Sequence, residues 1–244
     1  MKTYRAELHI HTVLSPCAGI EMIPPLIVRE ALERGIGLIA ITDHNASANA
    51  WAVIEAAQGT ELVVLPGMEL QTREEVHLLC LFDHLEQLQE WQQKVDEQLP
   101  NIPNNVDFFG EQFMVDASGD FLRREERLLT NSTHFELGQA TQAITRLGGL
   151  AIPAHVDRKA NGLIEILGLI PPDFEALEIS RHISVAAAYQ KFPQLHSCPL
   201  IQGGDVHFLD GFLGRTEFEL AAPTIAEIRM ALRAEAGRKI HHNE

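Results

Sequence analysis

Histidines and carboxylates stand where apolar, strand-like runs of the sequence begin or end. Six of the twelve histidines do so, together with one glutamate and one aspartate. The group is His9, His11, His44, Glu69, His77, His155, Asp205 and His207. A single histidine is more often a surface side chain, but this repeated placement indicates a shared site. Imidazole combined with carboxylate suits Zn, Mn or Fe better than Ca or Mg, so we expect a metal centre.

The spacing within the group supports chelation. Side chains i and i+2 of an extended strand point to the same face, so we expect His9 and His11 to bind one ion. The same argument applies to Asp205 and His207. Asp43, which precedes His44, is expected to orient a metal ligand from behind.

Strand and helix patterns alternate along the chain. Strands are expected at 4–10, 36–42, 61–67, 76–82, 148–153, 175–180 and 198–203. Helices are expected at 22–34, 48–57, 85–98, 136–147, 160–169, 184–192 and 224–236. This order is typical of βα units with a mostly parallel sheet. In parallel α/β barrels the catalytic groups collect at the carboxyl ends of the strands.

One connection breaks the alternation. Strands 61–67 and 76–82 are separated by only eight residues, whereas a parallel crossover needs about a dozen or more. We therefore predict an antiparallel hairpin. Its second strand would bring His77 back to the end of the sheet that carries Glu69.

The length of the chain limits the number of domains, and its net charge limits the classes of substrate. The 244 residues suit one domain, 1–244, with an irregular insertion at about 99–134 that is either a lid over the site or a mobile surface segment. The formal net charge of −15 and the lack of a Lys/Arg run argue against long nucleic acid as a substrate. A small anion is compatible, because bound cations reverse the local potential.

The cysteines and the N-terminus indicate a cytoplasmic protein. The three cysteines are widely spaced and odd in number, which favours a reducing compartment over a disulfide framework. The first residues do not read as a signal peptide. No apolar stretch approaches the roughly 20 residues of a membrane span, so no membrane partner is expected. The sequence gives no oligomeric state.

At this point the motifs resemble a known family, the PHP (polymerase and histidinol phosphatase) domain. The resemblance covers nearly the whole chain. It is carried by His9-Ile10-His11, Thr42-Asp43-His44, Gly67-Met68-Glu69, Glu75-Val76-His77, Pro153-Ala154-His155 and Gly204-Asp205-Val206-His207. It implies an α/β fold, a distorted seven-stranded β/α barrel of TIM-like type, with two or three divalent metal ions.

The resemblance also implies how the ligands divide. One ion would be held by His9, His11, Glu69 and Asp205. Glu69 would bridge to a second ion on His77 and His155, and His44 with His207 would hold a third.

The chain departs from the family at one position. Family members often carry His or Asp five or six residues after the second motif histidine, where this chain has Pro16 and Cys17. A thiolate is a good Zn ligand. Cys17 is therefore expected to complete the third site, the alternative being a small packed side chain in a turn.

The expected reaction is hydrolysis of a small phosphomonoester by hydroxide held between two metal ions. Glu69 and Asp205 would act catalytically through the ions they hold. Arg158, Arg181 and Arg215 follow strand ends and are candidates for binding phosphate. His182 is a candidate proton donor to the leaving group.

Three other interpretations stay open. A phosphodiesterase or exonuclease acting on nucleotides would use the same metals. A metal-dependent amidohydrolase typically needs a carboxylated strand lysine, and no predicted strand contains a lysine. A non-catalytic metal-binding module would hold the ions but hydrolyse no phosphoester.

Overall fold

A computed structural model describes residues 1–243. Its strands are β1 (Lys2–Ile10), β2 (Leu38–Ile41), β3 (Val63–Gln71), β4 (His77–Leu81), β5 (Phe113–Val115), β6 (Phe121–Arg124), β7 (Leu150–Pro153), β8 (Leu177–Ile179), β9 (Leu200–Gln202), β10 (Thr216–Leu220) and β11 (Lys239–His242). Its α-helices are α1 (Pro24–Glu33), α2 (Ala50–Ala56), α3 (Leu85–Gln98), α4 (Val106–Phe109), α5 (Leu137–Arg146), α6 (Leu163–Leu167), α7 (Val185–Lys191) and α8 (Ile225–Leu232). Short 3-10 turns lie at Pro193–Ser197 and Leu209–Gly211.

The main sheet is mixed and curled into a half-barrel. Within residues 1–243 it has seven strands in the order β11-β10-β1-β2-β3-β4-β7. The α/β class is confirmed, but the sheet does not close into the expected barrel. The reason is that β8 and β9 pair in parallel with each other instead of extending the sheet, while the C-terminal β10 and β11 occupy the edge beside β1.

Individual hydrogen bonds connect the β8–β9 unit to the sheet. The Val156 N–H donates to Glu178 O at 2.8 Å, and the Val206 N–H donates to His9 O at 2.9 Å. The unit thus lies at the opening of the half-barrel, where β8 and the loop after β9 reach the ends of β7 and β1.

The hairpin of β3 and β4 is confirmed. The strands run antiparallel, with Glu69 opposite Leu79 and Gln71 opposite His77. At Gly67 the backbone of β3 lies close to both neighbouring strands, since a Cβ there would lie 3.0 Å from Ile41 O of β2 and 3.1 Å from Cys80 O of β4. The hairpin places Glu69 and His77 side by side at one end of the sheet.

Both faces of the sheet are covered. Alternate residues of β2 point to opposite faces, and Leu38 and Ala40 belong to one buried cluster while Ile39 and Ile41 belong to another. All four are buried, as expected of a central parallel strand. The apolar face of α8 packs in the first cluster, and α1, α3 and α5 pack in the second.

Residues 99–134 contain α4 and the β5–β6 hairpin, so the segment is less irregular than expected. Its end is fixed beside the strand ends. Asn45 Nδ2 donates to Leu129 O at 2.7 Å and to Asn131 O at 2.8 Å, and the Thr133 N–H donates to Gln71 O at 2.9 Å. The lid hypothesis stays a prediction.

No helix among residues 1–243 has the length and apolar character that crossing a bilayer requires.

Trp91 is the largest side chain of the core and provides a test of the packing. It is fully buried on α3 and stacks on Phe135 with ring centroids 5.2 Å apart. We predict that Trp91→Ala lowers the free energy of unfolding by about 3–5 kcal/mol, because removal of a buried aromatic leaves a cavity. Trp91→Phe, which retains the ring stacking, should lose less. Urea unfolding measures both, and a Trp91→Ala effect within about 0.5 kcal/mol of zero, typical of surface sites, would contradict this packing.

Candidate metal centre

The candidate ligands converge at one end of the half-barrel. His9 lies one residue before the end of β1, His44 follows β2, and His155 follows β7. The loop after β9 supplies Asp205 and His207. Since these elements are distant in sequence, the sheet topology is what brings their side chains together.

Glu69 lies at the centre of the cluster and is fully buried. Its carboxylate oxygens are approached by five imidazoles. The distances are 2.8 Å to His77 Nδ1, 2.9 Å to His44 Nδ1, 3.1 Å to His9 Nε2, 3.2 Å to His155 Nε2 and 3.4 Å to His11 Nε2. A carboxylate surrounded in this way is suited to bridge cations.

Asp205 completes a second set of close donor atoms. Its Oδ1 lies 3.3 Å from both His9 Nε2 and His11 Nε2, and the two imidazole nitrogens are 3.2 Å apart. Tetrahedral ligands with bonds of about 2.0–2.1 Å have donor atoms roughly 3.3–3.4 Å apart. The spacing of these three atoms therefore fits one ion.

Two further observations fit a metal centre. Triads of donor atoms within 4.8 Å of one another occur as His9–His11–Asp205, His44–Glu69–His77 and His11–His44–His207. Glu69 Oε2 and His44 Nδ1 are also buried without a hydrogen bond of acceptable geometry. Buried polar atoms are normally satisfied, and divalent cations would satisfy these. The metal-ligand roles of the individual residues stay predictions.

Cys17 lies at the edge of the cluster. Its Sγ is 3.1 Å from His207 Nε2. Burial raises the pKa of the thiol, but hydrogen bonds from His207 and His44 outweigh burial and lower the pKa to about 6. The thiol therefore lies beside the third candidate set of ligands, and its role as a ligand stays a prediction.

Burial disfavours the charged forms of the side chains in the cluster, but neighbouring groups of opposite charge favour the charged forms of Glu69, Asp205 and His9. Burial raises the pKa of Glu69, but the histidine charges around it, that of His77 first, hold this pKa well below its usual range. The pKa of Asp205 is lowered against burial mainly by the charge of His9. Burial lowers the pKa of His9, and the neighbouring carboxylates, Glu178 first, reverse this and raise it. Because a ligand histidine must lose its proton, metal affinity is expected to rise with pH.

A buried carboxylate behind the site, Glu178 on β8, holds two of the ligands. Its Oε2 is 2.9 Å from His9 Nδ1, which leaves His9 Nε2 facing Glu69, and it accepts the His155 N–H at 3.0 Å. A Cβ at position 203 would collide with Glu178 Oε1, so glycine is required at Gly203. No role was predicted for Glu178 from the sequence. One feature of the sequence could have indicated its role. Glu178 is a charged residue within a short strand between Leu177 and Ile179, and a charged residue that is buried in this way needs a buried partner.

Other supports reach the ligands from behind. Ser15 Oγ is 2.9 Å from His11 Nδ1 and donates to Asp43 Oδ1 at 2.7 Å, so Asp43 acts on His11 through Ser15. Asn161 Nδ2 lies 2.8 Å from His77 Nε2, which directs His77 Nδ1 toward Glu69. Ser15 and Asn161 were not predicted from the sequence.

Two ligand candidates have unusual backbone conformations. His155 has φ = 31° and Asp205 has φ = 48°, a region that costs non-glycine residues of order 1–3 kcal/mol. Hydrogen bonds hold both segments, one from the His155 N–H to Glu178 and one from the Gly204 N–H to Glu7 Oε1 at 2.8 Å. Such strain is typical of functional sites.

Six of the eight candidate ligands, all but His9 and His11, line a cavity of about 360 Å³. Its lining residues are Cys17, His44, Glu69, Gln71, His77, Thr130, His155, Arg158, Asn161, Asp205 and His207. Arg158 is 42 % exposed and forms an ion pair with Asp205. Within residues 1–243, Arg181, His182 and Arg215 do not line this cavity. Their predicted roles are untested by this geometry, and Arg158 is the best placed of the arginines.

A sequence model of the PHP domain matches residues 7–182. The chain belongs to the PHP domain family. No curated protein sequence matches this PHP chain.

Solved structures share the PHP fold. The lesion-specific endonuclease from Pyrococcus furiosus superposes with a TM-score of 0.72 at 21 % identity, over 98 % of this chain and 58 % of that chain. An Endonuclease Q complex with a 27-mer duplex that has an abasic lesion at the active site superposes with a TM-score of 0.69 at 20 % identity and the same coverage of both chains. A Bifidobacterium adolescentis protein described as a metal-dependent phosphoesterase superposes with a TM-score of 0.55 at 18 % identity. The superposition covers 83 % of this chain and 87 % of that chain. The PHP chain thus spans 58 % of the length of the endonuclease.

The contacts of Glu178 predict its effect on metal binding. Glu178→Gln retains an acceptor for His9 but removes the charge, and Glu178→Ala removes both. We expect roughly 10-fold and 100-fold weaker binding of Zn²⁺ respectively, the range seen for groups behind metal ligands. Equilibrium dialysis measures the affinities, with the surface variant Glu219→Gln as the control. Unchanged affinity in folded Glu178→Ala would show that Glu178 does not support the ligands.

The thiol contacts predict selective alkylation of metal-free protein. A pKa of about 6 makes Cys17 mostly thiolate at pH 7, so iodoacetamide should modify it first, and the rate should fall as pH drops through about 6. Cys80 and Cys198 are buried, and burial raises their pKa, that of Cys198 to about 11, so they serve as internal controls. Added Zn²⁺ should protect Cys17. Mass spectrometry that finds Cys17 equally reactive with and without Zn²⁺ would contradict its place among the ligands.

Proposed function

We propose that the chain is a metal-dependent phosphatase that hydrolyses a small phosphomonoester, using two or three Zn, Mn or Fe ions held around Glu69. The observation that carries this proposal is the position of Arg158. Its guanidinium contacts Asp205, in the same cavity as the metal-ligand candidates. A phosphate bound there would meet cations on one side and an arginine on the other.

Divalent ions at this centre would lower the pKa of a water molecule and neutralise charge on phosphoryl oxygens. The chain's own residues would hold the ions, bind the phosphate and keep the ligands in position. Glu69 and Asp205 supply the negative charge that retains the ions. With Asp205 serving as a metal ligand, the Arg158 guanidinium, now paired with Asp205, would be free to make paired N–H···O contacts with the phosphate. Glu178 and Asn161 hold His9 and His77 in place, which limits reorganisation during the reaction.

Cavity size and charge favour a small substrate. A volume of about 360 Å³ is at the lower end of small-molecule sites. Among residues 1–243, Arg158 is the one Lys or Arg that lines it, and the chain carries a formal net charge of −15. Binding along a nucleic-acid backbone depends on several phosphate contacts by cations.

A phosphodiesterase acting on DNA is the second candidate. It is favoured by the likeness to the lesion-specific endonuclease, which covers 98 % of this chain. The likeness covers only 58 % of that endonuclease, so its substrate is not carried over from the likeness alone.

Parallel assays separate these candidates. Protein loaded with Zn²⁺, Mn²⁺ or Fe²⁺ is given p-nitrophenyl phosphate, bis-p-nitrophenyl phosphate and a duplex with one abasic site. We expect the highest kcat/KM for the monoester. Preferential cleavage of the duplex would replace the phosphatase by an endonuclease. A metal-loaded protein that hydrolyses none of the three would favour the non-catalytic module.

Arg158 gives a sharper test of the phosphate contact. We predict that Arg158→Ala lowers kcat/KM for the monoester by about 10- to 100-fold, corresponding to about 1.5–3 kcal/mol for hydrogen bonds to a charged group. Arg158→Lys should recover part of the loss, since it restores charge but not the paired geometry. The exposed Arg146→Ala is the matched control. Full activity of Arg158→Ala would remove Arg158 from the site.

A further inference from the structure

The three groups of candidate ligands differ in donor chemistry. The groups around His9 and Asp205 and around Glu69 and His77 offer only nitrogen and oxygen. The third group, His11, His44 and His207, is the one that Cys17 approaches. Sulfur is thus available at a single edge of the cluster.

The His207 ring is oriented toward the sulfur. Its Nδ1 lies 2.9 Å from Asp205 O, so this nitrogen carries the proton and donates it to the carbonyl. The other ring nitrogen, Nε2, faces Cys17 Sγ at 3.1 Å, and its lone pair becomes available to a metal ion when this nitrogen carries no proton. On its other side the ring stacks on His11, with centroids 4.1 Å apart.

The turn that carries Cys17 is fixed to the same ligands. The Gly19 N–H donates to His207 O at 2.8 Å, and the Ala18 N–H donates to Ser15 O at 3.0 Å. Ser15 in turn contacts His11 Nδ1. One short segment therefore supports His11 and presents the thiol, so the position of the sulfur is set by the ligands themselves.

The other two cysteines show the contrast. Cys80 Sγ and Cys198 Sγ are buried and each lies 3.3 Å from a backbone carbonyl, of Leu78 and Phe174 respectively. Their sulfurs are packed among apolar residues. Cys17 is the exposed cysteine, and its sulfur faces imidazoles.

We propose that Cys17 makes the third metal position a thiolate site that prefers a thiophilic cation, Zn²⁺ over Mn²⁺, more strongly than the other two positions, which offer only nitrogen and oxygen. Soft thiolate ligands favour Zn²⁺, and carboxylate ligands suit Mn²⁺. Binding forms a metal–sulfur bond, and the thiol proton passes to water. This inference rests on the metal centre of the proposed function but not on its hydrolytic activity.

Cobalt substitution tests the inference without an activity assay. Metal-free full-length protein is titrated with Co²⁺ and followed by absorption. A near-ultraviolet sulfur-to-cobalt charge-transfer band should appear in wild type and saturate with one ion per chain. The band should be lost in Cys17→Asp, which keeps an anionic donor and should keep the visible Co²⁺ absorption of the remaining positions. Cys198→Ser is the matched control and should retain the band.

Competition then measures selectivity. During dialysis against Zn²⁺ with a rising excess of Mn²⁺, Cys17→Asp should exchange one Zn²⁺ per chain for Mn²⁺ at a lower Mn²⁺ excess than wild type does. The Zn/Mn preference of that position should fall at least about 10-fold, since loss of a direct ligand costs no less than loss of a group behind one.

The outcomes are distinct. Visible Co²⁺ absorption in wild type without the charge-transfer band would overturn the thiolate site and leave the phosphatase proposal standing. So would a band that persists in Cys17→Asp, or an unchanged Zn/Mn ratio. Absence of all Co²⁺ binding would overturn both proposals. A band lost only in Cys17→Asp, in protein that hydrolyses no phosphoester, would support the thiolate site and contradict the phosphatase.

Discussion

A carboxylate with no access to water is the constraint on which the rest of the site depends. Glu69 is fully buried, and an ionised group in that position is costly unless opposite charge compensates it. Five imidazoles approach it within 3.4 Å. In metal-free protein the raised pKa values of His9 and His44, which burial opposes and the nearby carboxylates cause, favour protons that supply this charge, and divalent cations would supply it in loaded protein. The same arrangement therefore stabilises the folded chain and creates metal affinity.

The fold around Glu69 serves this arrangement. The β3–β4 hairpin sets Glu69 beside His77, and the open half-barrel leaves room for β8, from which Glu178 reaches His9 and His155. Glu178 is the residue that links the separate β8–β9 unit to the ligands. The opening of the barrel is thus filled by a support for the site.

The sequence predicted what depends on local pattern. Apolar runs located β1–β4 and β7–β9, the short connection predicted the β3–β4 hairpin, and the residues at strand ends indicated the cluster of candidate ligands. It did not predict Glu178, because the contact with His9 joins residues far apart in sequence and has no local period. It placed Arg181, His182 and Arg215 at strand ends, yet the direction of each side chain is decided by loop packing. The barrel was wrong for a similar reason, since edge pairing by β10 and β11 leaves no signal in the runs themselves.

The most direct test of the account is the metal content of the purified protein, by elemental analysis, beside the isosteric variant Glu69→Gln. Protein prepared without chelator and incubated with Zn²⁺, Mn²⁺ or Fe²⁺ should hold about two to three ions per chain. Glu69→Gln, which cannot supply the bridging charge, should lose at least one while circular dichroism shows that it remains folded. Fewer than one ion per wild-type chain, or equal content in the two proteins, would contradict a metal centre built around Glu69.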